Sequence, residues 1–319
     1  MTTALKPEWS KPRAILFATE IPANQRAFAY ALAQAHEFGA NLILFHAYDT
    51  LVVGTSETSG IRPYDFAAAS RAEMNHLEPM ADRARAAGLQ CEVVVRPGLP
   101  ADQILAYARE RQIDRIVMGT HSPGPIGKLL VGSVAEAVLR SATVPACIVG
   151  PDVVDGAFRK FATHTILCAV SMAEGSAVVA RFAAALAAQH SARLILQNVI
   201  RPQERREVLA GRTIDQIEAD LIALIPAELQ QTLDIQAIVV PGDPTEELLY
   251  QARAQDVDLV VLGAHGASAF AAITRNGVVY KVLAHSKCPV ITLSPAVLEA
   301  SDLPGDRASS AESFLAGIV

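Results

Sequence analysis

The chain has 319 residues, which suits two domains of about 150 better than one. Hydrophobic residues make up 51% and aromatics only 5%, so Ala, Val, Leu and Ile must build the core; that favours helix-covered parallel sheets over an aromatic-rich β-sandwich. The net charge of -6, with no block of like charges, argues against a nucleic-acid binder, and no unbroken apolar run is long enough for a membrane span.

The opening MTTALKPEWSKPR lacks the apolar stretch of a signal peptide, so a soluble, cytoplasmic protein is expected. ILFATE (15–20) reads as a first strand. QRAFAYALAQAHEFGA (25–40) comes next, with apolar residues at three- and four-residue spacing and a glycine stop signal at its end. LILFHA (42–47) is a second strand, and TLVVGTSETSGIRPYD (50–65) a polar, Gly-bearing loop. PADQILAYARERQ (100–112) is a helix opened by proline, and DRIVMGTH (114–121) a fourth strand ending at Met118.

The stretch after that strand, GTHSPGPIGKLLVGS (119–133), invites a phosphate reading. It is a poor Walker loop: Gly127 and Lys128 fit, but Ser122 stands where the first Gly belongs and Leu129 replaces the magnesium-binding hydroxyl. The dinucleotide pattern Gly-x-Gly-x-x-Gly cannot be laid on it either. The stretch closes into a helix, GSVAEAVLR (132–140), in which Ser133 and Glu136 are spaced as a capping box. The amides of Gly132, Ser133 and Val134 would then face the crevice beyond the strand ends, where open α/β sheets bind ligands and helix starts attract anions. The plain alternative is a flexible loop with Ser133 as an ordinary cap. VPACIVG (144–150) is the last strand, and residues 151–162 read as a linker.

The second half of the chain repeats the first. ILCAVS (166–171) echoes ILFATE, LILQNV (194–199) echoes LILFHA, DLVVLGAH (258–265) echoes DRIVMGTH, and CPVITLS (288–294) echoes VPACIVG. Each copy alternates strands with helical crossovers, so each is expected to form a doubly wound, five-stranded parallel sheet with right-handed connections. Cys91, Cys147, Cys168 and Cys288 are far apart and read as reduced core residues. Beyond Pro295 little remains to pack, and 297–319 is expected to be a mobile tail.

The spacing G-x2-G-x9-G-[ST] after the fourth strand, the doubled layout, GAHG in the second copy and the Pro-led last strands resemble the universal stress proteins, in their nucleotide-binding branch. The resemblance covers both copies and implies a tandem protein of the adenine nucleotide alpha-hydrolase-like fold, with strand order 3-2-1-4-5 and an intramolecular pseudo-dimer formed through the fifth strands. The domains would be 1–150 and 163–296. It further implies an adenine nucleotide, ATP, ADP or AMP, with magnesium left open. The adenosine would lie against Ala18, Thr19, Glu20, Ala47, Met118 and Gly119, and the phosphates against Ser122, Gly132, Ser133 and Val134. Ser122 departs from the motif Gly, and Glu20 from the usual Asp.

The second copy departs further: by count Asn276 and Gly277 fall at the Gly-Ser pair, and Ser171 at the carboxylate, so it reads as degenerate. His121 and His265 recur without Asp, Glu or Cys at ligand spacing, which favours turn packing over a metal or catalytic role. Lys128 suits either a phosphate or solvent. No Ser-His-Asp arrangement, paired carboxylate or metal cluster stands out, so hydrolysis would be slow at most. Three functions remain open: a non-catalytic nucleotide-binding stress protein that signals to a protein partner, an interaction scaffold that has lost its nucleotide, or a slow ATPase. A further homodimer of whole chains is left open as well.

Overall fold

The computed structural model describes residues 7–49, 66–120, 131–154, 163–172, 175–263 and 277–301. The first copy runs α1 (Pro7–Ser10), β1 (Ala14–Ala18), α2 (Gln25–Phe38), β2 (Asn41–Tyr48), α3 (Phe66–Ala86), β3 (Cys91–Pro97), α4 (Pro100–Glu110), β4 (Arg115–Gly119), α5 (Ser133–Ser141) and β5 (Ala146–Val149). The second runs β6 (Thr165–Ala169), α6 (Ser176–His190), β7 (Arg193–Ile200), α7 (Arg205–Val208), α8 (Ile214–Ala223), α9 (Ala227–Gln230), β8 (Ile235–Pro241), α10 (Pro244–Ala254), β9 (Leu259–Gly263), α11 (Val278–His285), β10 (Val290–Leu293) and α12 (Pro295–Ser301).

The strands form one ten-stranded sheet in the order β3-β2-β1-β4-β5-β10-β9-β6-β7-β8. Each half therefore has the order 3-2-1-4-5, and every pairing is parallel except the central one. There β5 and β10 run antiparallel, with Ile148 opposite Val290, Cys147 opposite Ile291 and Ala146 opposite Thr292. Two parallel sheets are thereby fused edge to edge, which removes the edges that each would otherwise expose. The strands are apolar on both faces because helices cover both.

One core lies on each side of the sheet and runs through both copies. Ile15, Phe17 and Leu44 meet α2, α3, α6 and α8 on one side. Leu16, Phe45 and Ile116 meet α4, α5, α10 and α11 on the other. The copies share small devices that hold strand starts together. The Asp114 carboxylate accepts the amides of Arg13 and Ala14 at 2.8 and 3.1 Å; Asp258 accepts those of His164 and Thr165 at 2.7 and 3.0 Å. Helix α2 ends on Gly39 in the left-handed conformation (φ 62°), as the glycine stop signal implied; its counterpart α6 ends on Ser191 at φ 53°, where a Cβ makes the same turn costlier.

A buried polar chain joins the copies near α2. Arg115, fully buried, donates to Gln34 Oε1 and, at 2.8 Å, to the Trp9 carbonyl, while its guanidinium lies over the Phe38 ring. Phe38 meets His190 of α6 edge-on, and His190 Nδ1 lies 2.6 Å from Glu37 Oε1. The four cysteines are free. Burial pushes the thiols of Cys91 and Cys288 up to about 11, Cys147 to about 12 and Cys168 well up, so all four stay protonated at neutral pH.

The structure corrects one boundary. The mobile tail expected from 297 does not begin there, because α12 continues to Ser301 with Val297 and Leu298 buried. The helix packs against α5 and α6, and Ser294 just before it donates its hydroxyl to the Ala142 carbonyl at the end of α5. The remaining tail, 302–319, lies outside the described residues. Leu298→Ala should lower unfolding free energy by about 2–4 kcal/mol, the range for a truncated core leucine, as read by chemical denaturation. A change below about 0.5 kcal/mol would mean that α12 is not part of the core.

Candidate functional site

Of the predicted residues, Ala18 on β1 and Met118 and Gly119 on β4 stand where the sheet order reverses. Ala18 ends β1 and is paired with Met118 on one side and Phe45 on the other. Ala18, Ala47 and Met118 are all buried and share the face covered by α4 and α5. Thr19 is half-buried and Glu20 exposed, so its carboxylate is presented to solvent at the lip. Ser122 lies outside the described residues, as do His121, Lys128, His265, Arg275 and Asn276.

The loop after β1 is held by donors that sequence reasoning passed over. The Thr19 amide donates to the Phe45 carbonyl at 2.9 Å, and His46 Nδ1, as the protonated nitrogen, donates to the Thr19 carbonyl at 2.9 Å. The second copy repeats both: Val170 N–H to the Gln197 carbonyl at 2.9 Å, and Asn198 Nδ2 to the Val170 carbonyl at 2.7 Å. His46 and Asn198 stand at matching places in LILFHA and LILQNV, a correspondence visible once the repeats are aligned. Asn24 adds a cross-link. Its Oδ1 caps α2 by accepting Ala27 N–H at 3.0 Å, and its Nδ2 donates to the Thr120 carbonyl at 3.2 Å.

That cross-link explains Gly119. A Cβ built there would lie 2.8 Å from Asn24 Cβ and closer still to its amide group. The glycine is needed so that Asn24 can pass, whatever binds beyond it.

Helix α5 departs from expectation. Gly132, not Ser133, is its N-cap, with φ -62° and ψ 155° and no side-chain cap. The capping box is not formed: Ser133 is already helical and exposed, and Glu136 instead pairs with Arg140 at 2.5 Å. The first-turn amides at Ser133 and Val134 are therefore left to solvent or a ligand. At the other end of the loop Thr120 is buried, and its Oγ1 has no partner among the described residues. A buried hydroxyl without a bond is costly, and a polar ligand would relieve it.

The second copy also corrects the register read from sequence. Gly277 caps α11 with φ -77° and ψ 158°, so it occupies the place of Gly132 rather than of Ser133. Counting from Gly263, that loop is one residue longer, and Val278 falls where Ser133 stands. The hydroxyl and the carboxylate are still missing, since Ser171 follows β6 and sits 3.4 Å from Ser176 Oγ. A separate apolar cavity of about 330 Å³ lies on the opposite face, between Ile21, Pro22 and the α3 residues Leu77 and Met80.

The fold defines a class: fused pairs of doubly wound α/β domains joined through their last strands. The family model for the universal stress protein family matches residues 12–150 and again 162–294, and the chain belongs to that family. It is 31% identical over 133 residues to universal stress protein YxiE of Bacillus subtilis (strain 168), covering 40% of this chain and 90% of that one. A universal stress protein of Thermus aquaticus, named for its place in the QAH/OAS sulfhydrylase 3' region, is 33% identical over 127 residues, covering 39% and 88%. A solved universal stress protein from Archaeoglobus fulgidus DSM 4304 shares the whole tandem fold at TM-score 0.64 and 18% identity, covering 90% of this chain and 97% of its own.

Gly119→Ala should displace Asn24 and lower stability by about 1–3 kcal/mol, the usual cost of overpacking. Thermal unfolding would show it; an unchanged midpoint would mean that Asn24 moves freely.

Proposed function

We propose that the first copy binds one adenine nucleotide and that the chain signals its occupancy to a protein partner in the cytoplasm. The observation that carries this reading is the pairing of Thr120, a buried hydroxyl with no partner among the described residues, with the uncapped start of α5 at the two ends of one glycine-bearing loop. A helix start with open amides suits a phosphate, and a hydroxyl donor beside it adds a second bond. Ala18, Ala47 and Met118 supply the apolar floor for the adenosine, and Glu20, just after β1, a carboxylate.

The second copy lacks both the serine at the helix start and the carboxylate. Loss of one bond to a charged group is worth about 1.5–3 kcal/mol, or at least tenfold in affinity. We therefore expect calorimetry with ATP, or analysis of nucleotide released on denaturation, to find one site per chain. Gly132→Val should abolish it by placing a branched side chain at the phosphate approach, and Gly277→Val should leave it intact. Two equivalent sites, or sensitivity at Gly277 alone, would overturn the assignment to the first copy. No nucleotide at all, even after ATP is added, would favour the scaffold.

A further inference from the structure

The end of the first copy's loop is fastened by the second copy. Val131, buried and immediately before Gly132, donates its amide to the Tyr280 hydroxyl at 2.9 Å. Tyr280 lies on α11, 149 positions away in the chain, and is itself buried. The antiparallel pairing of β5 with β10 brings α5 and α11 together, and the chain passes close enough that a Cβ on Gly150 would strike the Leu283 carbonyl of α11. A buried amide must find a partner, so the bond fixes where the backbone enters α5.

With Gly277 set at Gly132, the residue of α5 that matches Tyr280 is Ala135, which carries no hydroxyl to offer in return; Asn276, the match of Val131, lies outside the described residues. The copy with the weaker motif thus supplies a tie to the copy with the stronger one.

We propose that Tyr280 is a positioning residue for the nucleotide phosphates, supplied to the first copy by the second. It rests on the nucleotide reading above and deepens it: the degenerate copy sets the phosphate affinity of its twin by holding residue 131. The first-turn amides of α5 are aligned only while the chain before them is fixed, because peptide planes at 131 and 132 set the direction in which the helix starts. Adenosine, which meets the strand ends, does not sense this bond.

The test is Tyr280→Phe in the full chain, with AMP, ATP and adenosine titrated by calorimetry against the unaltered protein. The variant keeps the ring that fills the core and loses only the oxygen. AMP and ATP should bind about tenfold more weakly, with adenosine unchanged. Equal losses for AMP and adenosine, or none, would overturn the proposal. If the unaltered chain binds neither AMP nor adenosine, the nucleotide reading falls and this role with it. Should the variant not fold, the unaltered sequence carrying 3-fluorotyrosine serves: the fluorine resonance of Tyr280 should shift on AMP but not on adenosine, and indifference to AMP would refute the coupling.

Discussion

The antiparallel pairing of β5 with β10 is the constraint on which the rest depends. Only three residue pairs are in register there, yet they convert two parallel sheets into one and bury the last strand of each. A parallel sheet must end somewhere, and its edge strand offers unpaired amides and carbonyls along an apolar ribbon. Turning the second copy about a pseudo-twofold axis lets each ribbon satisfy the other. Thr292 reinforces the seam by donating its hydroxyl to the Ala146 carbonyl at 3.1 Å. Because the strands are joined, the helices beside them must pack, and α12 meets both α5 and α6. The chain entering α5 in the first copy is therefore held by the second copy, through the bond from Val131 to Tyr280.

Comparing the copies shows which features serve the fold and which do not. The aspartate ties at strand starts, the amide bond from strand one to strand two, and the side-chain donor to the loop carbonyl occur in both. Their chemistry varies where the geometry allows: His46 and Asn198 reach equivalent carbonyls with different groups. Glycine caps the last crossover helix in both, at nearly the same dihedrals. What differs is concentrated at the crevice, where Glu20 is matched by Ser171 and Ser133 by Val278. Between β7 and β8 the second copy uses three short helices where the described residues of the first form α3, and the sheet order is unaffected. Covering a strand face requires apolar area and not a particular helix count.

Much of the fold was legible because it is written in short apolar runs, repeated, with helical periods between them. The strand order came from the family resemblance and the fused edge from the need to cover β5. The details of the crevice were less legible, for physical reasons. Ser133 and Glu136 have the spacing of a capping box, but spacing cannot say which residue leaves the helical conformation first; Gly132 does, and Glu136 is drawn to Arg140 instead. Gly119 looks like a ligand glycine and is explained by Asn24, ninety-five positions earlier, which no local pattern reveals. Residues 297–301 look like a tail because only Val297 and Leu298 are apolar enough to matter, yet two such residues on one helical turn suffice to dock it.

The Tyr280 bond belongs to the same class of hidden features, and it bears on why a copy that has lost its motif persists. If each copy folded and bound ligand alone, erosion of the second would leave a passenger. The fused sheet forbids that independence. Once β5 and β10 are paired, α11 becomes part of the first copy's surroundings, through Tyr280 at Val131 and Leu283 at Gly150. A second copy without the serine and the carboxylate at its own helix start therefore still serves the first as structure. Duplication here yields two copies that share one sheet and two cores, rather than two independent domains.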